Sequence, residues 1–69
     1  MNRARRYYVI HEGGDWKVKL ERGPVLSVPG SRRAAIREAK RLGRSQGRPV
    51  MVNYKDGRTG AQYYSQSDL

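Results

Sequence analysis

Hydrophobic positions recur every second residue toward both ends of the chain and at helical spacing between them. Residues 7–11 are aromatic and β-branched, closing on His11, and predict a strand. Glu12-Gly13-Gly14-Asp15 is a turn cluster whose two glycines can take positive φ. Trp16, Val18 and Leu20 then alternate with Lys17, Lys19 and Glu21, the pattern of a strand with one buried and one wet face. The first two strands therefore form a hairpin. Arg22-Gly23-Pro24 breaks the run, and residues 25–28 predict a short third strand ended by Pro29-Gly30.

Ser31 is placed to cap a helix, its hydroxyl accepting an orphan N–H of the first turn. Ala35, Ile36, Ala39 and Leu42 follow at helical spacing, within about 120° of arc, as a narrow apolar stripe. Gly43 and Gly47 bracket the helix end; Gly47 is the better cap, with Pro49 just beyond. Val50, Val52 and Tyr54 alternate with Met51, Asn53 and Lys55 as a further strand, and Asp56-Gly57 turns the chain into a last strand near residues 61–65. The order is β-β-(β)-α-β-β: an α+β fold, one small antiparallel-rich sheet with one helix packed on one face. Residues 1–6 are expected to be a basic flexible arm, residues 7–65 the single domain and residues 66–69 a frayed tail. The Trp16/Val18/Leu20 face is expected to pack on the helix stripe, with Trp16 in the core. Tyr7-Tyr8 and Tyr63-Tyr64 are adjacent pairs, so one member of each must point away from the helix.

In order and spacing, Gly14, Trp16-Lys17-Val18-Lys19, Ser31, Ala35, Ile36, Ala39, Leu42, Gly47 and Asp56-Gly57 form a recognisable series. They resemble the small family known as domain of unknown function 2188. Its pattern is a strand, a Gly-Trp-x-Val-Lys strand, a Ser/Thr-led Ala-rich helix ending near Gly, then a strand and an Asp-Gly turn. The resemblance spans residues 7–64 and implies the fold above; it implies no activity. Two departures stand out. Asp15 is inserted between glycine and tryptophan, which implies an altered hairpin turn. Gly43 stands where the family usually has Ala, which implies a loss of about 1 kcal/mol of helix propensity.

Composition narrows the function. Sixty-nine residues allow one domain, and the absence of cysteine removes disulfides and thiolate metal sites. The apolar run at residues 7–10 is too short for a signal peptide or a membrane span, so a soluble cytoplasmic protein is expected. His11 is the only histidine and the carboxylates are dispersed. A Ser-His-acid relay would have to join His11 to Ser27, Ser31, Ser45, Ser65 or Ser67, and none lies in a nucleophile elbow. One histidine without cysteine lacks the ligand count for zinc. No enzyme activity, metal or cofactor is expected, and His11 is read as an ordinary residue at a strand end.

Charge is the informative property. Fifteen Lys+Arg against six Asp+Glu leave a net +9, which calls for an anionic partner. Residues 1–6 hold three arginines and no acid, and residues 31–46 hold six basic residues against Glu38 alone. Arg33, Arg37, Lys40, Arg41 and Arg44 fall within about 100° of arc, opposite the apolar stripe. Like charges at i,i+4 repel by a few tenths of a kcal/mol, so a purely solvated helix would mix signs. Arginine outnumbers lysine, and its planar fork suits phosphate. The expected function is a non-catalytic nucleic-acid-binding protein, with double-stranded DNA favoured over RNA. Its contacts would come from Arg33, Arg37, Lys40, Arg41 and Arg44, with Arg3, Arg5 and Arg6 of the arm. The alternative is a homodimeric interaction module, or an adaptor for an acidic protein, using the sheet's open face or an edge. Gly57-Arg58-Thr59-Gly60 matches the backbone-clamping GxxG of KH domains, but here strands flank it and a hairpin turn explains it. Gly47-Arg48-Pro49, similar to the centre of minor-groove peptides, is explained by a helix cap before proline.

Overall fold

The computed structural model describes residues 5–63. Along the chain run β1 (Tyr7–Glu12), β2 (Asp15–Leu20), β3 (Val25–Ser27), α1 (Arg32–Gln46), β4 (Val50–Asn53) and β5 (Thr59–Tyr63). One sheet holds the strands in the order β3-β2-β1-β4-β5. Its pairs are antiparallel except for the central β1 and β4, which run parallel. The fold is the expected α+β arrangement of one helix on one face of a mostly antiparallel sheet.

Gly13 and Gly14, at φ 62° and 86°, form the β1–β2 turn. Two successive positive φ values are the mark of a type I′ turn, whose twist matches that of the strands it joins. The inserted Asp15 does not disturb it. Asp15 opens β2 opposite Glu12, and Trp16 follows opposite His11, so the insertion is absorbed as one further pair of the ladder.

Residues directly opposite one another share a face. Tyr7 lies opposite Leu20 and Val50, and Val9 opposite Val18 and Val52. These residues form the helix-facing side, and Val9, Val18 and Val52 are completely buried beneath Ala35 and Ala39. Tyr8, Ile10 and Met51 take the opposite side, which no other element among the described residues covers. Trp16 lies on the helix-facing side, but it is half-buried and packs against the core from its rim. Its position one residue into β2 leaves it at the end of the sheet, so the small buried residues make the core instead.

Both helix caps form where the sequence predicts them. The Ser31 hydroxyl accepts a hydrogen bond from the Ala34 N–H at 3.1 Å. Gly47 adopts φ 68°, and its N–H and that of Arg48 both donate to the Gly43 carbonyl. Gly43 itself is buried against the chain leading into β4. A Cβ there would stand 2.7 Å from the Arg48 carbonyl oxygen and 2.9 Å from Val50 Cγ2. The departure from the family's alanine is thus a packing requirement, and helix propensity is the lesser term.

Arg3 and the other residues of 1–4, Tyr64, Ser65 and the tail at 66–69 lie outside the described residues.

Candidate functional site

Because Ala35, Ala39 and Gly43 turn toward the sheet, the opposite side of α1 faces solvent. Arg33, Arg37, Lys40, Arg41 and Arg44 are all exposed there, on one face as their spacing predicts. Arg37, Lys40, Arg41, Arg44 and Ser45 surround an open cleft of about 490 Å³. The five cations differ in how they are held. Arg41 donates from Nε and Nη2 to both oxygens of Glu38, at 3.2 and 2.6 Å. That hydrogen bonding, followed by the opposite charges, lowers the Glu38 pKa and raises that of Arg41. Lys40 Nζ sits 4.1 Å from the centroid of the Tyr63 ring. Among the described residues Arg33, Arg37 and Arg44 have no carboxylate partner.

Arg5 and Arg6, read from the sequence as part of the arm, are bonded to the folded domain. Arg5 donates to the carbonyls of Glu21 and Arg22 at 3.0 and 3.2 Å, and its own carbonyl accepts from Arg48 Nη1 at 3.2 Å. The Arg6 N–H donates to Glu21 Oε1 at 2.9 Å, and its guanidinium lies 3.8 Å from Glu21 Oε2. Both therefore belong to the end of the sheet beside the C-terminus of α1, where Arg48 also covers the Tyr7 ring at 5.8 Å.

A second cationic group, which sequence reading missed, lies at the opposite end of the sheet. Arg32 Cζ is 5.7 Å from the Trp16 ring centroid and 5.5 Å from that of Tyr54. Arg58 lies 6.0 Å from the same Tyr54 ring and donates to Asp56. His11 packs edge-on against Trp16, with ring centroids 4.9 Å apart. The signal available in the sequence was angular: Arg32 sits about 100° from Arg33, off the outward stripe and toward the sheet.

The GxxG glycines have structural roles. Gly57 takes φ 95° in the β4–β5 turn, and a Cβ on Gly60 would stand 2.9 Å from the Val52 carbonyl oxygen. Among the described residues no group of three His, Cys, Asp or Glu could hold a metal ion. Among them, too, no helix is long and apolar enough to cross a membrane.

One helix on a five-stranded, mostly antiparallel sheet defines a small α+β domain. The chain belongs to the family described as an uncharacterized protein conserved in bacteria (DUF2188), whose model matches residues 7–63. No curated protein and no solved structure gives a significant match.

Proposed function

We propose that this protein is a small, non-catalytic nucleic-acid-binding module of the cytoplasm that contacts the phosphates of double-stranded DNA through the outward face of α1. The observation that carries this reading is the state of the cations on that face. Arg33, Arg37 and Arg44 are exposed and lack carboxylate partners among the described residues, while Lys40 and Arg41 complete the row. A helix backed by a sheet presents such a row on a fixed backbone, so little backbone freedom is lost on binding. Arg5 and Arg6 have their hydrogen bonds within the domain and contribute mainly to the positive field.

Salt dependence tests the reading. Neutralising about 4–6 phosphates gives a slope of log K against log salt of roughly −4 to −5. The variant Arg37→Ala, Arg41→Ala, Arg44→Ala is expected to flatten that slope by about three units and leave the melt nearly unchanged. A triple variant that binds like the parent would refute the helix-face reading.

A second reading has its own support. Val25, Leu26 and Val28, on and beside the edge strand β3, are 44%, 45% and 52% exposed. An apolar edge of this kind suits strand addition by an acidic protein or pairing with a second copy. Absence of DNA and RNA binding at low salt, together with a dimeric mass by light scattering, would favour it.

A further inference from the structure

Arg32 is the first residue of α1, but its side chain leaves the outward face and reaches the sheet. Trp16 on β2 and Tyr54 just after β4 stand on either side of β1, and the guanidinium lies over both rings. Each ring has a neighbour of its own. The His11 ring is inclined at 63° to Trp16 with centroids 4.9 Å apart, and Tyr54 lies over Gly60, where a Cβ would come to 3.3 Å from the ring. Cation–π attraction to both rings favours keeping the guanidinium at this place before any ligand arrives, so less entropy is lost when its N–H groups are used.

Those N–H groups are unused. Among the described residues Arg32 has no hydrogen-bond acceptor and no carboxylate partner, and its nitrogens reach solvent. The other arginines lying near tyrosine rings differ: Arg48 donates to the Arg5 carbonyl, and Arg58 to Asp56. Nearby carboxylates are turned elsewhere, Glu12 lying 3.6 Å from Lys17 and Asp56 being held by Arg58. Of the backbone donors in the first turn, the Ala34 N–H is already taken by the Ser31 hydroxyl.

We infer that Arg32 is a phosphate-binding residue, held between Trp16 and Tyr54 as a preformed fork for two oxygens of one phosphate group. Cation–π contact with the two rings uses none of the N–H groups, which stay available for a bidentate oxyanion contact. The net charge of +9 favours phosphate over a singly charged carboxylate. This site uses none of the residues of the outward helix face, so each reading can fail without the other.

Titration with inorganic phosphate at constant ionic strength tests it, followed by the Arg32 Nε–H signal in NMR and by fluorescence of Trp16, the only tryptophan. The expected result is a saturable shift of both signals that chloride does not produce. Arg32→Lys keeps the charge and removes the fork, and should weaken phosphate about tenfold with the melt retained. Tyr54→Leu leaves Arg32 in place and opens the clamp; it should weaken phosphate about threefold or more, whether or not Arg32→Lys folds. Arg22→Gly removes an equal charge at the far end of the sheet and should bind phosphate as the parent does. Short duplexes with 5′-phosphate or 5′-hydroxyl ends distinguish the sources. A defect of Arg32→Lys confined to the phosphorylated duplex assigns a terminal monoester, and equal defects on both assign the backbone diester. No defect on either, with inorganic phosphate still bound, assigns a free phosphate or nucleotide. No saturable shift, parental binding by Arg32→Lys and Tyr54→Leu, or an equal loss in Arg22→Gly would overturn the inference.

Discussion

Gly43 of α1 and Val50 of β4 approach so closely that a Cβ on the glycine would stand 2.9 Å from the valine Cγ2. The Arg48 carbonyl oxygen, at 2.7 Å from the same point, is backbone and cannot rotate away. Gly43→Ala should therefore destabilise the domain by about 1–3 kcal/mol, despite alanine's better helix propensity. Equilibrium urea unfolding measures this. An alanine variant as stable as the parent would show that the helix slides outward at little cost.

The Ser31 cap is separable from binding. Ser31→Ala removes the bond to the Ala34 N–H and should cost about 1 kcal/mol. The slope of DNA affinity against salt should not change, because no cation is touched. A changed slope would tie the cap to the interface.

Core contributions should follow burial more than residue size. Val9 is fully buried on the central strand, and Val9→Ala should cost about 2 kcal/mol. Trp16 is half-buried at the rim, so Trp16→Ala should also cost about 2 kcal/mol, below the range for a fully buried aromatic, and leave a cooperative melt. A Trp16→Ala variant without such a melt would mean that the rim cluster holds the fold together.

Acid should weaken the protein through Glu21. The hydrogen bond from the Arg6 N–H lowers its pKa, helped by the charges of Arg6, Arg22 and Arg5 and opposed by partial desolvation. Its folded pKa thus lies below that of the unfolded chain, which takes up the proton first as pH falls. Its stabilising contribution is complete above the ordinary glutamate range and is lost as pH falls below that range through the folded value. Thermal melts across that window should drop less steeply in Glu21→Gln than in the parent. Equal slopes would show that this carboxylate is uncoupled from folding.

Local chemistry made much of this legible in the sequence. Ser31 and Gly47 act on backbone groups within a few residues, so the helix ends could be read directly. The alternation of Trp16, Val18 and Leu20 assigned a face because strand geometry has a period of two. The outward cations followed from the same kind of rule applied to 3.6 residues per turn. What escaped depends on partners distant in the chain. Gly43 is explained by Val50 and Arg48, Trp16 is a rim residue because of where β2 begins, and Arg32 acquires meaning only from two rings on separate strands. Arg5 and Arg6 looked like an arm because their acceptors, at Glu21 and Arg22, lie beyond a whole hairpin.

The parallel contact of β1 with β4 has a kinetic consequence. The hairpin of β1 and β2 can zip from its two-glycine turn within microseconds, since its partners are neighbours in the chain. The sheet's centre cannot close until Val50 and Val52 reach Tyr7 and Val9, with β2, β3 and all of α1 forming the intervening loop. Loop-closure entropy must be met before that contact yields any return, so it is the natural rate-limiting event. On a ribosome, the emerging hairpin must wait, with its apolar face uncovered, until the second half of the chain has been made.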